Sequence, residues 1–235
     1  MSRPRLPAHA VERIRRERLA PRPTDWNYLH LLGLRRSMEG AFSRLAGASG
    51  PVLDLYCGTQ PYLELVPWRP VWGLDLDDHF GRANVIGALP LPFREGAFSV
   101  VLCTQALYLV DDPAGTVGEM HRVLAPGGHA VVTVPSIFRR EIAAERRWNA
   151  AQLAGLFAGW SGVQVEGIGG LGTGLAYFPA SLADAAGRRS RHLRSLLRPI
   201  ALPVNAVGAL AERLLRPLAG RYPASLIAVA RRSEG

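Results

Sequence analysis

The sequence predicts an α/β protein: a doubly wound, seven-stranded, mostly parallel sheet with helices on both faces and a helical insertion before the last strand. Three observations predict it. From residue 51 onward, short apolar runs alternate with amphipathic stretches, the pattern that strand–helix–strand crossovers leave in a sequence. The run 98–103 is almost wholly apolar, as a strand covered on both faces must be. A gap of about 55 residues (169–223) separates the sixth and seventh strand runs, far longer than an ordinary connection.

The elements follow in order. Residues 1–24 hold four prolines and seven arginines and read as a basic arm with a helix over Ala8–Leu19. Residues 25–46 read as a helix that Asp25 caps, with Leu29, Leu32, Met38, Phe42 and Leu45 as its apolar stripe. Strands are expected over 52–55, 71–76, 84–86, 98–103, 130–134, 163–168 and 225–230. Asp112-Pro113 starts a helix, with the acid at the cap and proline at the first helical position. Val117, Met120, Val123 and Leu124 face inward on it, and Ala125-Pro126-Gly127-Gly128 ends it. A short helix is expected over 150–157. Within the insertion, 188–198 and 204–218 read as helices with Pro199 and Pro203 between them. The chain thus divides into an arm (1–24), a core (25–168), an insertion or lid (169–223) and a last strand with its tail (224–235).

Charge is unevenly placed. All 28 basic residues are arginine, and the net charge is +9. Residues 1–50 carry 10 Arg against 4 acids, 51–135 carry 4 against 9, and 136–235 carry 14 against 6. An acidic centre with basic flanks suits an anionic substrate or an anionic membrane surface, the latter met through the basic insertion. The two cysteines, Cys57 and Cys103, make no disulfide framework and fit a reduced, cytoplasmic setting. No signal-peptide run and no uncharged stretch long enough to span a bilayer is visible. No nucleic-acid-binding module is visible either.

Four motifs carry the chemistry. Pro51-Val52-Leu53-Asp54-Leu55-Tyr56-Cys57-Gly58-Thr59-Gln60 reads as a buried strand that delivers an acid to a glycine turn. An acid at that sheet edge favours a cationic ligand over a pyrophosphate, which points to the ammonium and sulfonium of S-adenosylmethionine. Asp75 stands at the end of the second strand, 21 residues after Asp54, where an acid can accept two ribose hydroxyls, with Leu76 beside it. Ala88 and Leu89 precede a Pro-Leu-Pro-Phe turn that can flank an adenine. Thr104 and Gln105 lead off the fourth strand into the crevice beside the first. The Gly-x-Gly-x-x-Gly turn of nicotinamide enzymes is absent.

With these motifs the chain resembles the class I S-adenosylmethionine-dependent methyltransferases, in the small-molecule branch, over about residues 51–135. The resemblance implies a Rossmann-like fold, S-adenosylmethionine as cofactor and S-adenosylhomocysteine as product. It places Asp54 near the methionine ammonium, Gly58 along the methionyl chain and Asp75 on the ribose. Tyr56, Cys57, Thr59, Leu76, Ala88, Leu89, Thr104 and Gln105 complete the implied cofactor site. Tyr56 and Gln60 stand where the family's loop has glycines, Gly87 where it often has an acid, and Tyr108-Leu109 where it often has Glu-His. The last departure leaves a second reading open: a cofactor-binding scaffold without catalysis.

Methyl transfer needs an aligned acceptor and a dry site, and needs no metal. A base helps when the acceptor is a hydroxyl or a protonated amine. Tyr108, Asp111, Tyr177 and His30 are the candidates. Asp77, Asp78 and His79 read as a surface loop rather than a metal cluster. The glycine-rich segment 167–174 and the insertion are expected to form much of the acceptor pocket. Leu171, Leu175, Tyr177 and Phe178 make that acceptor hydrophobic.

Overall fold

The computed structural model describes residues 3–45, 47–136, 146–189, 198–215 and 221–234. Its helices are α1 (Ala8–Leu19), α2 (Tyr28–Arg44), α3 (Pro113–Val123), α4 (Ala150–Gly155), α5 (Leu171–Arg189) and α6 (Ala201–Leu214). Its strands are β1 (Val52–Leu55), β2 (Val71–Asp75), β3 (Val85–Ile86), β4 (Phe98–Thr104), β5 (Leu124–Pro135), β6 (Ser161–Ile168) and β7 (Ser225–Arg231). The strands form one sheet in the order β3-β2-β1-β4-β5-β7-β6. The first five run parallel, and β7 lies antiparallel between β5 and β6. The winding reverses between β1 and β4, so a crevice opens beyond the carboxyl ends of those two strands.

Alternation along the strands builds two cores. Val101 and Cys103 of β4 face one side, with Val117, Met120 and Val123 of α3 and Leu153 of α4. Val100 and Leu102 face the other side, with Leu34, Met38 and Phe42 of α2. A strand sandwiched in this way has no polar face, which is why 98–103 reads as a continuous apolar run.

Asp112 caps α3 as its sequence indicates, accepting from Gly115 N at 2.8 Å. Asp25 does not cap α2: that helix starts at Tyr28 after Asn27, and the Asp25 carboxylate closes the preceding turn by accepting from Arg22 N at 2.7 Å. The fifth strand begins earlier than expected, at Leu124, which pairs with Phe98; residues 125–128 then stand out of the ladder as an irregularity, and pairing resumes at His129 opposite Val100.

The insertion departs most from expectation. Helix α5 begins at Leu171, inside the glycine-rich segment 167–174. Its glycines serve helix contact. A Cβ on Gly172 would stand 2.2 Å from the Gly208 carbonyl of α6, and one on Gly208 would stand 2.8 Å from Ala176 Cβ. Glu212 of α6 satisfies the start of α5, accepting from Thr173 N at 2.8 Å and from its hydroxyl at 3.3 Å. Asn205 of α6 is buried and donates to the carbonyls of Pro23 (2.8 Å) and Asp25 (2.9 Å), which ties the insertion to the start of α2. Of the helix expected over 188–198, the first two residues end α5 and 190–197 lie outside the described residues, as do 216–218 of the one expected over 204–218.

The arm is docked on the core. Leu6 N donates to His79 O at 2.7 Å, Arg3 pairs with Asp77 at 3.1 Å, and Arg5 pairs with Asp78 at 3.5 Å. On α1 the buried Arg15 donates to Gln60 O at 3.3 Å and pairs with Glu12 (2.9 Å) and Glu64 (3.3 Å). These bonds engage the loop after β2 and the loop after β1 together.

Candidate functional site

Asp54 and Asp75 come to one edge because β1 and β2 are parallel neighbours, with Asp54 paired to Gly73. Asp54 is 6% exposed. Burial pushes its carboxyl up to about 8; the Gln60 side-chain hydrogen bond opposes this rise and the nearby Asp75 carboxylate adds to it. A carboxyl so placed stays neutral near pH 7 until a cation arrives. Asp75 is half-buried and accepts from Gly58 N (2.9 Å) on one oxygen and Leu76 N (2.8 Å) on the other. Burial raises its pKa, while those two backbone donors oppose the rise. Each carboxylate oxygen keeps a lone pair, so two vicinal hydroxyls could still be accepted.

The loop between them is left-handed at three successive alternate positions: Tyr56 (φ 55°), Gly58 (φ 52°) and Gln60 (φ 49°). The two positions that depart from the glycine pattern therefore keep the backbone that glycine would adopt. Tyr56 packs its ring on the core, and its phenol bonds the Thr116 side chain of α3. Gln60 is buried beside Asp54. Cys57 and Cys103 are buried free thiols whose pKa values burial pushes up, which removes them as nucleophiles at neutral pH. The Thr59 hydroxyl is buried without a partner among the described residues, as is the Gln105 amide nitrogen. Orphaned donors at a sheet edge are what a bound ligand satisfies.

At the neighbouring edge, Leu76 is exposed, Ala88 is exposed and Leu89 is half-buried. The turn after Leu89 is fixed by α3: Arg122 donates to Leu91 O (2.9 Å) and Phe93 O (2.8 Å), and Glu119 accepts from Leu91 N (2.7 Å). An adenine there would meet apolar side chains and backbone. A buried acid, a second acid with open lone pairs, a close-approach glycine and an apolar shelf together fit S-adenosylmethionine.

Beyond β4 lies a cleft of about 420 Å3. Thr104 and Gln105 form its floor, and Gln105 is the third non-glycine residue in a left-handed conformation (φ 51°). Three of the four candidate bases line it: Tyr108, Tyr177 and His30. The Tyr177 and His30 rings meet edge-on at 6.2 Å, and the Arg147 guanidinium lies 5.3 Å from the centre of the Tyr108 ring. Asp111 is exposed outside the cleft, and its carbonyl accepts from Arg146 at 2.7 Å.

The expected acceptor wall is only partly the insertion. Tyr177 faces the cleft, but Leu175 and Phe178 are exposed elsewhere, because the glycines turn α5 against α6. Sequence reading missed Ile14, Glu17 and Arg18 of α1, together with Arg147. The signal for α1 was present in the Ala8–Leu19 periodicity; its destination was not. Asp77, Asp78 and His79 are bound to the arm through Arg3, Arg5 and Leu6. No group of three or more metal-ligating side chains occurs among the described residues. Among them, no helix is long and apolar enough to cross a membrane.

A family model described as a methyltransferase domain matches residues 53–132, the span from β1 into β5. No curated protein sequence matches the chain. Among solved structures the chain is similar to the 4+2 cyclase SpnF, with 18% identity, a TM-score of 0.56, and 86% of this chain and 83% of that one covered. It is similar to a proposed sarcosine dimethylglycine methyltransferase from Galdieria sulphuraria, with 15% identity, a TM-score of 0.55, and 85% and 86% covered. It is also similar to phosphoethanolamine N-methyltransferase 2 of Haemonchus contortus in complex with S-adenosyl-L-methionine, with 15% identity, a TM-score of 0.51, and 84% of this chain but 52% of that one covered. The fold is that of the class I methyltransferases.

Proposed function

From the premise that residues 53–132 are a methyltransferase domain, whose cofactor is S-adenosylmethionine, we propose that the chain methylates a small acceptor with a hydrophobic body. The observation that supports this is the cleft lined by Thr104 and Gln105 at the end of β4, the strand next to β1, where Asp54 pairs with Leu102. The cofactor supplies a methyl carbon on a positive sulfur. The ionised Asp54 answers the ammonium, and Asp75 takes the ribose hydroxyls. Leu76, Ala88 and Leu89 cover the adenine. Gly58 lets the methionyl chain approach, with Tyr56, Cys57 and Thr59 supporting that loop.

In the cleft, Ile14, Leu31 and Leu34 hold the acceptor's apolar part, and the tie between Asn205 and residues 23–25 holds α2 as a wall. The cleft would hold the acceptor atom in line with the methyl carbon that bound S-adenosylmethionine would supply. The acceptor's proton passes to one of Tyr108, Tyr177 or His30. Asp111 is left out by its position. The buried thiols suit a reducing, cytoplasmic compartment.

The test is incubation of the pure protein with methyl-labelled cofactor and a metabolite extract. Label in an extracted small molecule, lost in Asp75→Ala, supports the reading. A second reading, cofactor binding without methyl transfer, is favoured by Leu107-Tyr108-Leu109-Val110, which carries neither an acid nor a histidine after β4. Tight S-adenosylhomocysteine binding with no transferred label would select it.

A further inference from the structure

Helices α5 and α6 are built inside out relative to ordinary surface helices. Small residues face inward: Gly172 and Ala176 of α5 meet Gly208 of α6, and Ala180 and Ala201 are buried. Large apolar residues face outward: Leu175, Leu182, Leu202, Val207, Leu210 and Leu214 are each between 50% and 69% exposed. On α5 the outward pair is spaced by seven residues, and on α6 Val207, Leu210 and Leu214 follow at three and four, so each set lies on one helical face. No residue from 171 to 183, and none from 201 to 211, is charged. Two neighbouring helices therefore present a shared apolar surface with no charge in it, where a monomer in water would place its polar residues.

The surroundings of that surface are cationic. Arg213 on α6 and Arg221 beyond it are exposed, next to a half-exposed Tyr222. The sequence between α5 and α6 carries Arg191, Arg194 and Arg198 and no acid. Residues 136–235 hold 14 Arg against 6 acids. A second copy of this chain would bring two such arginine sets together, and like charges at close range repel. An anionic bilayer surface offers the opposite sign around an apolar interior. With neither helix able to span a membrane, the fitting mode is in-plane burial to the depth of the side chains.

We infer that the α5–α6 face docks on an anionic lipid bilayer, leucines and valine in the acyl boundary and arginines among the headgroups. The same α5 carries Tyr177 into the cleft, which suits an acceptor dissolved in that lipid. Docking itself is independent of whether methyl transfer occurs.

The test is flotation of the full-length protein with phosphatidylcholine vesicles and with phosphatidylcholine–phosphatidylglycerol vesicles mixed at roughly two to one. The triple variant Leu175→Ser, Leu210→Ser, Leu214→Ser removes apolar area at exposed positions; the double variant Arg213→Glu, Arg221→Glu reverses charge. Their thermal midpoints serve as the control for folding. The protein is expected to float with the mixed vesicles, about tenfold more weakly with phosphatidylcholine alone or at high salt, and about tenfold more weakly in each variant. Absence of flotation with mixed vesicles overturns the inference. So does flotation that neither variant changes, or a dimer in solution that the leucine variant dissolves while vesicle binding is absent.

Discussion

The Asp54 carboxyl makes a quantitative prediction about cofactor binding. Burial holds it neutral up to about pH 8, yet a bound ammonium needs it ionised. Below that pH, every binding event must first remove a proton. If the complex keeps Asp54 ionised down to pH 6, affinity for S-adenosylhomocysteine falls about tenfold per pH unit, or roughly 50-fold from pH 8 to pH 6, which is ~2.3 kcal/mol. Calorimetry at pH 7 in buffers of differing ionisation enthalpy should count close to one proton released per ligand bound. Asp54→Asn keeps the shape, removes the titration, and should bind more weakly at pH 8 with a flat profile toward pH 6. Any pH dependence left in the variant belongs to the ligand's own amine. The same shift sets the sign for the ligand-free fold. A raised carboxyl is neutral when folded and ionised when unfolded, so stability is highest below the unfolded value near 4 and falls as pH rises toward about 8. Wild-type affinity that is level between pH 6 and 8, with no proton released, refutes the role given to Asp54.

Other outcomes follow from the same contacts. Asp75→Ala frees Gly58 N and Leu76 N as well as the ribose contacts, and should weaken S-adenosylhomocysteine at least tenfold by thermal shift, about 1.5–3 kcal/mol for a charged hydrogen-bond partner. Gln60→Gly removes the side chain that lowers the Asp54 value, so the midpoint of the pH–affinity curve should move to higher pH. Gly172→Ala forces a Cβ against the Gly208 carbonyl and should cost about 1–3 kcal/mol in denaturant unfolding. Arg15→Met removes the Glu64 pair and one of the two donors on both the Gln60 carbonyl and the Glu12 carboxylate, and should speed limited proteolysis within residues 3–20.

The sequence made the sheet legible because its strands are buried on both faces and bounded by strong punctuation. β1 and the start of β4 fall where expected, and Asp112-Pro113 begins α3. The acids at the strand ends were legible for the same reason: a parallel sheet places its strand ends together, so Asp54 and Asp75 must share an edge. Two things were not legible. Glycines at 169, 170, 172 and 174 look the same in a loop as in a helix that must touch another backbone, and only the distance from Gly172 to Gly208 decides between them. The place of α1 was equally hidden. Its arginines read only as those of a basic arm, and the one that matters, Arg15, is distinguished by acceptors 45 and 49 residues away.

The glycine departures connect these points. A non-glycine residue in the left-handed region costs about 1–2 kcal/mol, and three such residues, Tyr56, Gln60 and Gln105, surround the crevice. Each is held by something that glycine could not engage or that grips its backbone. The Tyr56 phenol bonds Thr116. The Gln60 side chain bonds Asp54 while its carbonyl takes Arg15. Gln105 N donates to both the carbonyl and the hydroxyl of Thr133, at 2.9 and 3.0 Å. The loop thus keeps the backbone path of a glycine-rich turn while carrying two extra side chains, Tyr56 and Gln60, into the space around it. Gln60 restrains the rise that burial imposes on Asp54, and Gln105, after β4, lines the cleft. The arm is fastened to the same loop through Arg15, so the residues that replace glycine also couple the α1 wall of the cleft to the acid at the end of β1.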